Sequence, residues 1–161
     1  MKKLQLIKHI AGELIKGNKI LMDNIDDKIA YTDGFKIWIV SKNDNIFNDK
    51  IKNASLYGGF TDDILNALEP VKNYHILDDE EIKKGQYITV GNFKGENFYF
   101  NSSFLKYFDK DCKLYKKDKN PCRPIYIKDK SGNLEGAIMP IRVIGESKER
   151  YDAKVKNCKG L

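Results

Sequence analysis

Ala30-Tyr31-Thr32-Asp33-Gly34-Phe35-Lys36-Ile37-Trp38-Ile39-Val40 is the stretch on which the fold turns. Apolar residues flank Thr32-Asp33-Gly34 on both sides, and Asp-Gly accepts the positive φ of a tight turn. The reading is a strand over Lys28–Tyr31, a turn, and a strand from Phe35 to Val40. Upstream, Lys19-Ile20-Leu21-Met22 reads as a further short strand, reached through a turn over Asp23–Asp27. Before it, Leu4, Ile7, Ala11, Leu14 and Ile15 recur at helical spacing with Ile10 beside them, and Gly17 closes the run. The chain thus opens as a helix followed by an antiparallel meander.

The second half repeats that order. Strands are predicted at Gln86–Gly91 and Asn97–Phe100, with Gly95 in the turn. Asn101-Ser102-Ser103 caps a short helix over Phe104–Phe108. Strands follow at Lys113–Lys116, Arg123–Lys128 and Gly136–Ile144, with Ser131-Gly132-Asn133 as the last turn. Two helix-plus-meander units imply an α+β class, with helices against one face of antiparallel sheet. Phe93, Phe98, Tyr99, Phe100, Phe104, Tyr107 and Phe108 lie among lysines. Their spacing suits a strand and a helix in a core better than a base-stacking platform.

Between the halves, residues 41–85 are rich in Asn, Asp, Gly and Lys and read as an insertion. One short helix is predicted at Thr61–Leu68, with Thr61 as its cap. Asp78-Asp79-Glu80-Glu81 reads as a solvated helix start or loop rather than a metal site, since carboxylate ligands usually converge from spaced positions. Residues 146–161 are expected to form a polar tail after one domain over 1–145.

At 161 residues the chain can bury a core without disulfides or a structural metal. Its net charge is +6, from 29 basic and 23 acidic residues. Residues 1–80 hold 11 Lys/Arg against 13 Asp/Glu, a net of −2, and residues 81–161 hold 18 against 10, a net of +8. Only Arg123, Arg142 and Arg150 are arginines. Lysines attract phosphate as point charges, so this composition favours sequence-independent contact over base readout. Lys106, Lys110, Lys113, Lys116 and Lys117 are the candidate DNA-contacting set. No apolar run reaches membrane-spanning length. His9, Glu13 and Lys16 interrupt the apolar region that a secretion leader would need, so a cytoplasmic location is expected.

No catalytic pattern emerges. The phosphate loop, GxGxxG, HExxH and GxSxG are all lacking. Cys112, Cys122 and Cys158 form no CxxC pair, so neither a zinc site nor a disulfide framework is expected, and Cys122 reads as a packing residue. His9 and His75 read as ordinary core or surface residues. Asp33 reads as a turn former rather than a catalytic acid. The expectation is a protein with no metal and no cofactor that is not an enzyme.

Three segments then carry a resemblance. They are Phe100-Asn101 with Phe104-Leu105, Pro121-Cys122-Arg123-Pro124-Ile125, and Ile138-Met139-Pro140-Ile141-Arg142. In this order they resemble the last domain of the bacterial DNA polymerase III beta subunit, the sliding clamp. Ala30–Ile37 resembles that family's A-x-T-D-G-(H/F)-(R/K)-(L/I) strand. The matching elements cover roughly residues 4–40 and 86–144. The resemblance implies a duplicated DNA-clamp fold and electrostatic, sequence-independent contact with duplex DNA. It also implies a peptide pocket for replication proteins. Thr32, Gly34, Phe35, Lys36 and Ile37 would form one wall and Met139, Pro140, Ile141 and Arg142 the other. In one domain these walls need not face each other, and head-to-tail copies would bring them together. A closed six-domain ring would take six copies of this chain, so homo-oligomers, duplex DNA and replication proteins are the expected partners. The alternative is a stand-alone, phage-like interaction module that keeps the fold without a ring.

Overall fold

The computed structural model describes residues 1–25, 27–44, 56–58, 75–77, 82–84 and 88–142. The helix expected at 61–68, the acidic run at 78–81 and the polar tail at 146–161 lie outside the described residues, as does Cys158.

Helix α1 spans Lys3–Ile15. It ends in a Schellman motif: Gly17 takes φ +77°, the Asn18 N–H donates to the Glu13 carbonyl at 2.9 Å, and the Gly17 N–H donates to Leu14 at 3.0 Å. Leu6 and Ile10 carry its buried face, with Leu14 packed beside them. Leu4 and Ile15 are instead 64% and 87% exposed. Two of the six residues of the expected apolar stripe therefore face outward. The helix is apolar on more than one side, and packing selects the Leu6–Ile10–Leu14 row.

The strands are β1 (Ile20–Ile25), β2 (Lys28–Thr32), β3 (Lys36–Ser41), β4 (Leu56–Gly58), β5 (His75–Ile76), β6 (Ile82–Lys84), β7 (Ile88–Phe93), β8 (Glu96–Asn101), β9 (Lys113–Lys116), β10 (Ile125–Lys128) and β11 (Leu134–Ile138). A 3-10 helix over Ser102–Tyr107 precedes β9, and the Asn101 side chain accepts from the Ser103 N–H at 2.9 Å. An eight-stranded sheet runs β4-β1-β2-β3-β11-β10-β9-β5, and a second sheet runs β6-β7-β8. The two meanders meet through β3 and β11, which pair antiparallel as Trp38↔Gly136, Ile37↔Ala137 and Lys36↔Ile138. Read outward from that seam, each half is three antiparallel strands preceded by a helix in the chain.

Several boundaries move. Pairing between β1 and β2 continues to Ile25↔Lys28, so Asp23 and Asn24 belong to the strand and not to the turn. The last strand stops at Ile138 instead of running on to 144. Pro140 has no N–H to give a ladder, and Ile141 then bridges across to Tyr99 of β8 through a 2.7 Å hydrogen bond. The segment 41–85 supplies β4 and β5 to opposite edges of the large sheet and β6 to the small one.

Helix α1 packs on one face of the large sheet, as the α+β class implies, and strands β2, β3 and β10 are buried on the other face as well. On β3, Trp38 and Val40 join the main cluster, while Ile37 and Ile39 join a second with Ala30, Tyr126 and Ala137. Successive side chains of a strand point to opposite faces, so continuous burial along β2, β3 and β10 requires cover on both sides. The aromatic cluster is core: Phe93, Phe98, Tyr99, Phe100, Tyr107 and Phe108 are all buried.

Candidate functional site

The β2–β3 turn is built from its own sequence. The Asp33 Oδ1 accepts from the Phe35 and Lys36 N–H groups, both at 3.0 Å. The Thr32 hydroxyl donates to the Lys36 carbonyl at 2.6 Å and accepts from the Gly34 N–H at 3.0 Å. Gly34 takes φ +89°, which only glycine adopts without strain. These bonds fix the turn and leave Phe35 at its tip, 66% exposed.

Below the tip lies a buried polar cluster. The Lys36 ammonium sits 2.7 Å from Asp33 Oδ2 and is only 6% exposed as a residue. It also lies over the rings of Phe104, Trp38 and Tyr107, at 4.4, 5.3 and 5.7 Å from their centroids. His9 of α1 places Nε2 3.5 Å from Asp33 Oδ2, too far for a hydrogen bond, and among the described residues that nitrogen has none. Burial, and then the neighbouring Lys36 charge, hold the His9 pKa below its ordinary value. These effects favour the neutral imidazole, which packs against Trp38 and Tyr107.

The second expected wall lies directly beside the first. The Met139 N–H donates to the Phe35 carbonyl at 2.9 Å. Met139, Pro140 and Ile141 are half-buried, and Arg142 is exposed. One chain therefore sets the two segments side by side without a second copy. Not every residue of the set reaches the surface. Thr32, Lys36 and Ile37 are buried and shape the wall from behind, and Gly34, Phe35 and Arg142 are exposed.

No family model, curated protein or solved structure matches this chain.

The candidate DNA-contacting lysines divide. Lys106, Lys110, Lys113 and Lys117 are exposed. Lys116 is not: it is fully buried, and its ammonium donates to the Asn120 and Arg123 carbonyls at 2.9 and 2.7 Å. It staples the loop before β10 and is withdrawn from any direct contact with a nucleic acid. Strand alternation carries that signal, because Lys116 shares the face of Leu114 in Lys113–Lys116.

Burial lowers the Lys116 pKa to about 8 from an ordinary 10.5. Between those values the unfolded chain keeps a proton that the folded chain has released, so stability rises with pH across that window. Below about 8 both states are charged and the penalty, roughly 3 kcal/mol, is present in full. The Lys116→Met variant lacks this dependence. Urea unfolding from pH 7 to 10.5 should move the stability difference in favour of the native chain by roughly that amount. A flat difference would contradict the assignment.

Among the described residues, the half-buried Cys112 offers no nucleophile. Burial, and then the charge of Glu135, push the Cys112 thiol up to about 11, which keeps it protonated at neutral pH. Cys122 is exposed rather than packed, while Pro124, two residues on, takes the buried place. Among the described residues, no three His, Cys, Asp or Glu side chains converge to hold a metal ion. Among them also, no helix is long and apolar enough to cross a membrane.

Proposed function

We propose that this chain is a non-enzymatic, clamp-like accessory of DNA replication or repair. It docks a peptide segment of a replication protein on the surface made by Phe35 and Met139–Arg142. The 2.9 Å hydrogen bond between Met139 and Phe35 carries the reading, because it joins both walls within one chain. An aromatic ring held out on a rigid turn loses little entropy on contact, and a basic group beside it orients an acidic or polar flank. The sheet order, two helix-plus-meander halves joined at β3–β11, is consistent with the duplication that the clamp resemblance implies.

The test uses purified bacterial replicative polymerase, clamp loader and sliding clamp, each passed over the immobilised chain. One of them is expected to bind. Phe35→Ser should weaken that binding by about 2 kcal/mol, roughly thirtyfold, with the thermal midpoint unchanged. Absence of binding to all three, or equal binding by the variant, overturns the proposal.

A second reading is favoured by the exposure of Lys106, Lys110, Lys113 and Lys117. Copies of the chain would associate head to tail around duplex DNA and hold it through salt-sensitive contacts. Light scattering with and without DNA at two salt concentrations tests this. A strict monomer at tens of micromolar with no salt-sensitive DNA binding would sink it.

A further inference from the structure

A cleft of about 430 Å³ lies away from the Phe35 surface, where the start of α1 meets the turn after the 3-10 helix and strand β9. That volume falls within the range of small-molecule sites, roughly 300–1,000 Å³. Its floor is apolar, formed by Leu105, Phe108, Leu114 and Ile127. Its rim carries three lysines, Lys2, Lys110 and Lys113. Among the described residues, none of the three ammonium groups has an ion-pair partner. The acid at the rim, Asp109, is already paired with the Met1 amino group, which also lies 2.9 Å from Glu135. Lys2 is the residue from which α1 starts, and the first turn of that helix has no acidic residue and no capping side chain. The positive end of the helix dipole adds to the three lysines, while Asp109 and Glu135 are both held on the Met1 amino group beside it.

The arrangement selects a ligand by charge and by shape. Three cations suit a phosphomonoester, which carries about −1.5 to −2 at neutral pH, better than a single carboxylate. The apolar floor suits a body that gives up water on entry. A duplex is too wide to enter such a cleft, whereas a single terminal nucleotide is not. We propose that this cleft binds a phosphomonoester on a nucleotide-sized body whose flat apolar face meets the floor. The phosphate is held by Lys2, Lys110 and Lys113 and the body lies on Leu105 and Leu114. The ligand comes either as a free mononucleotide or as the 5′-phosphate end of a strand. This does not rest on the docking surface proposed above, and a mononucleotide reports on it alone.

The full chain would be titrated calorimetrically with inorganic phosphate, 5′-dAMP and deoxyadenosine. The same titration would use a short oligonucleotide with and without a 5′-phosphate. The expected result is that 5′-dAMP binds at least tenfold more tightly than phosphate or deoxyadenosine. The Lys110→Gln/Lys113→Gln variant should lose at least tenfold, while the exposed Lys130→Gln control should not change. Tight binding of the 5′-phosphorylated oligonucleotide, but not of its 5′-hydroxyl form, supports the strand-end source. Binding of the mononucleotide alone supports the free one. Three results overturn the proposal. One is binding of phosphate alone as tight as that of 5′-dAMP, which makes the floor irrelevant. Another is unchanged binding by the double-lysine variant. The third is binding that requires neutralisation of the acids that follow Leu77 in sequence, by D78N/D79N/E80Q/E81Q. In that last case the lysines serve the chain's own carboxylates.

Discussion

Gly136→Ala abolishes folding or costs at least about 4 kcal/mol, more than an ordinary core truncation. A Cβ at this position would lie 2.2 Å from the Ile37 carbonyl oxygen and 2.9 Å from two ring atoms of Phe108. The first of these is backbone at the central seam of the large sheet, where β3 and β11 pair. A side chain could turn aside, but this carbonyl can move only if the ladder opens, and the ladder is what joins the two halves. The contrast is Gly12→Ala in α1, where nothing lies within 4 Å. The same added methyl there should stabilise by about 0.5–1 kcal/mol, because alanine is the better helix former. Urea unfolding of both variants decides the point, and a Gly136→Ala protein of native stability would refute the seam geometry.

Asp33→Ala is the second large effect, about 3–5 kcal/mol of destabilisation. The carboxylate holds the turn through two backbone N–H groups and compensates the buried Lys36 ammonium. Without it, the charge is left with only ring faces and a neutral imidazole around it, and no solvent. Asp33→Ala/Lys36→Met should recover more than half of the loss, because the unpaired charge goes with the lysine. Unfolding free energies for the two single variants and the double variant, taken at pH 7, give the coupling. Additive single effects would show that Lys36 does not depend on Asp33.

Much of the fold was legible because its signals are local. The Thr32-Asp33-Gly34 turn, the Gly17 helix stop and the Asn101 cap each follow from what one side chain does to the backbone beside it. The alternation of Phe98, Tyr99 and Phe100 likewise located a buried strand. What escaped were facts of three-dimensional proximity. Nothing in the spacing of His9, Asp33 and Lys36 says that a helix will set the first against the other two. The adjacency of Phe35 and Met139 follows from β3 pairing with β11, a choice among strands that a linear pattern leaves open. Lys116 was misread because a lysine's charge was given more weight than its place in the strand. The outward-facing Leu4 and Ile15 were misread for the reverse reason: apolar character was taken as burial where two faces competed.

The seam also sets a timetable. Ile37 finds its partner Ala137 only after 100 further residues have been made. At about 5–20 residues per second of synthesis, the β3 edge stays open for roughly 5–20 seconds on every new chain. An open edge beside Trp38, Ile39 and Val40 is an invitation to pair with the wrong strand. The interval between the halves is thus a period of exposure for the nascent chain, and its length is set by how much sequence separates the two meanders.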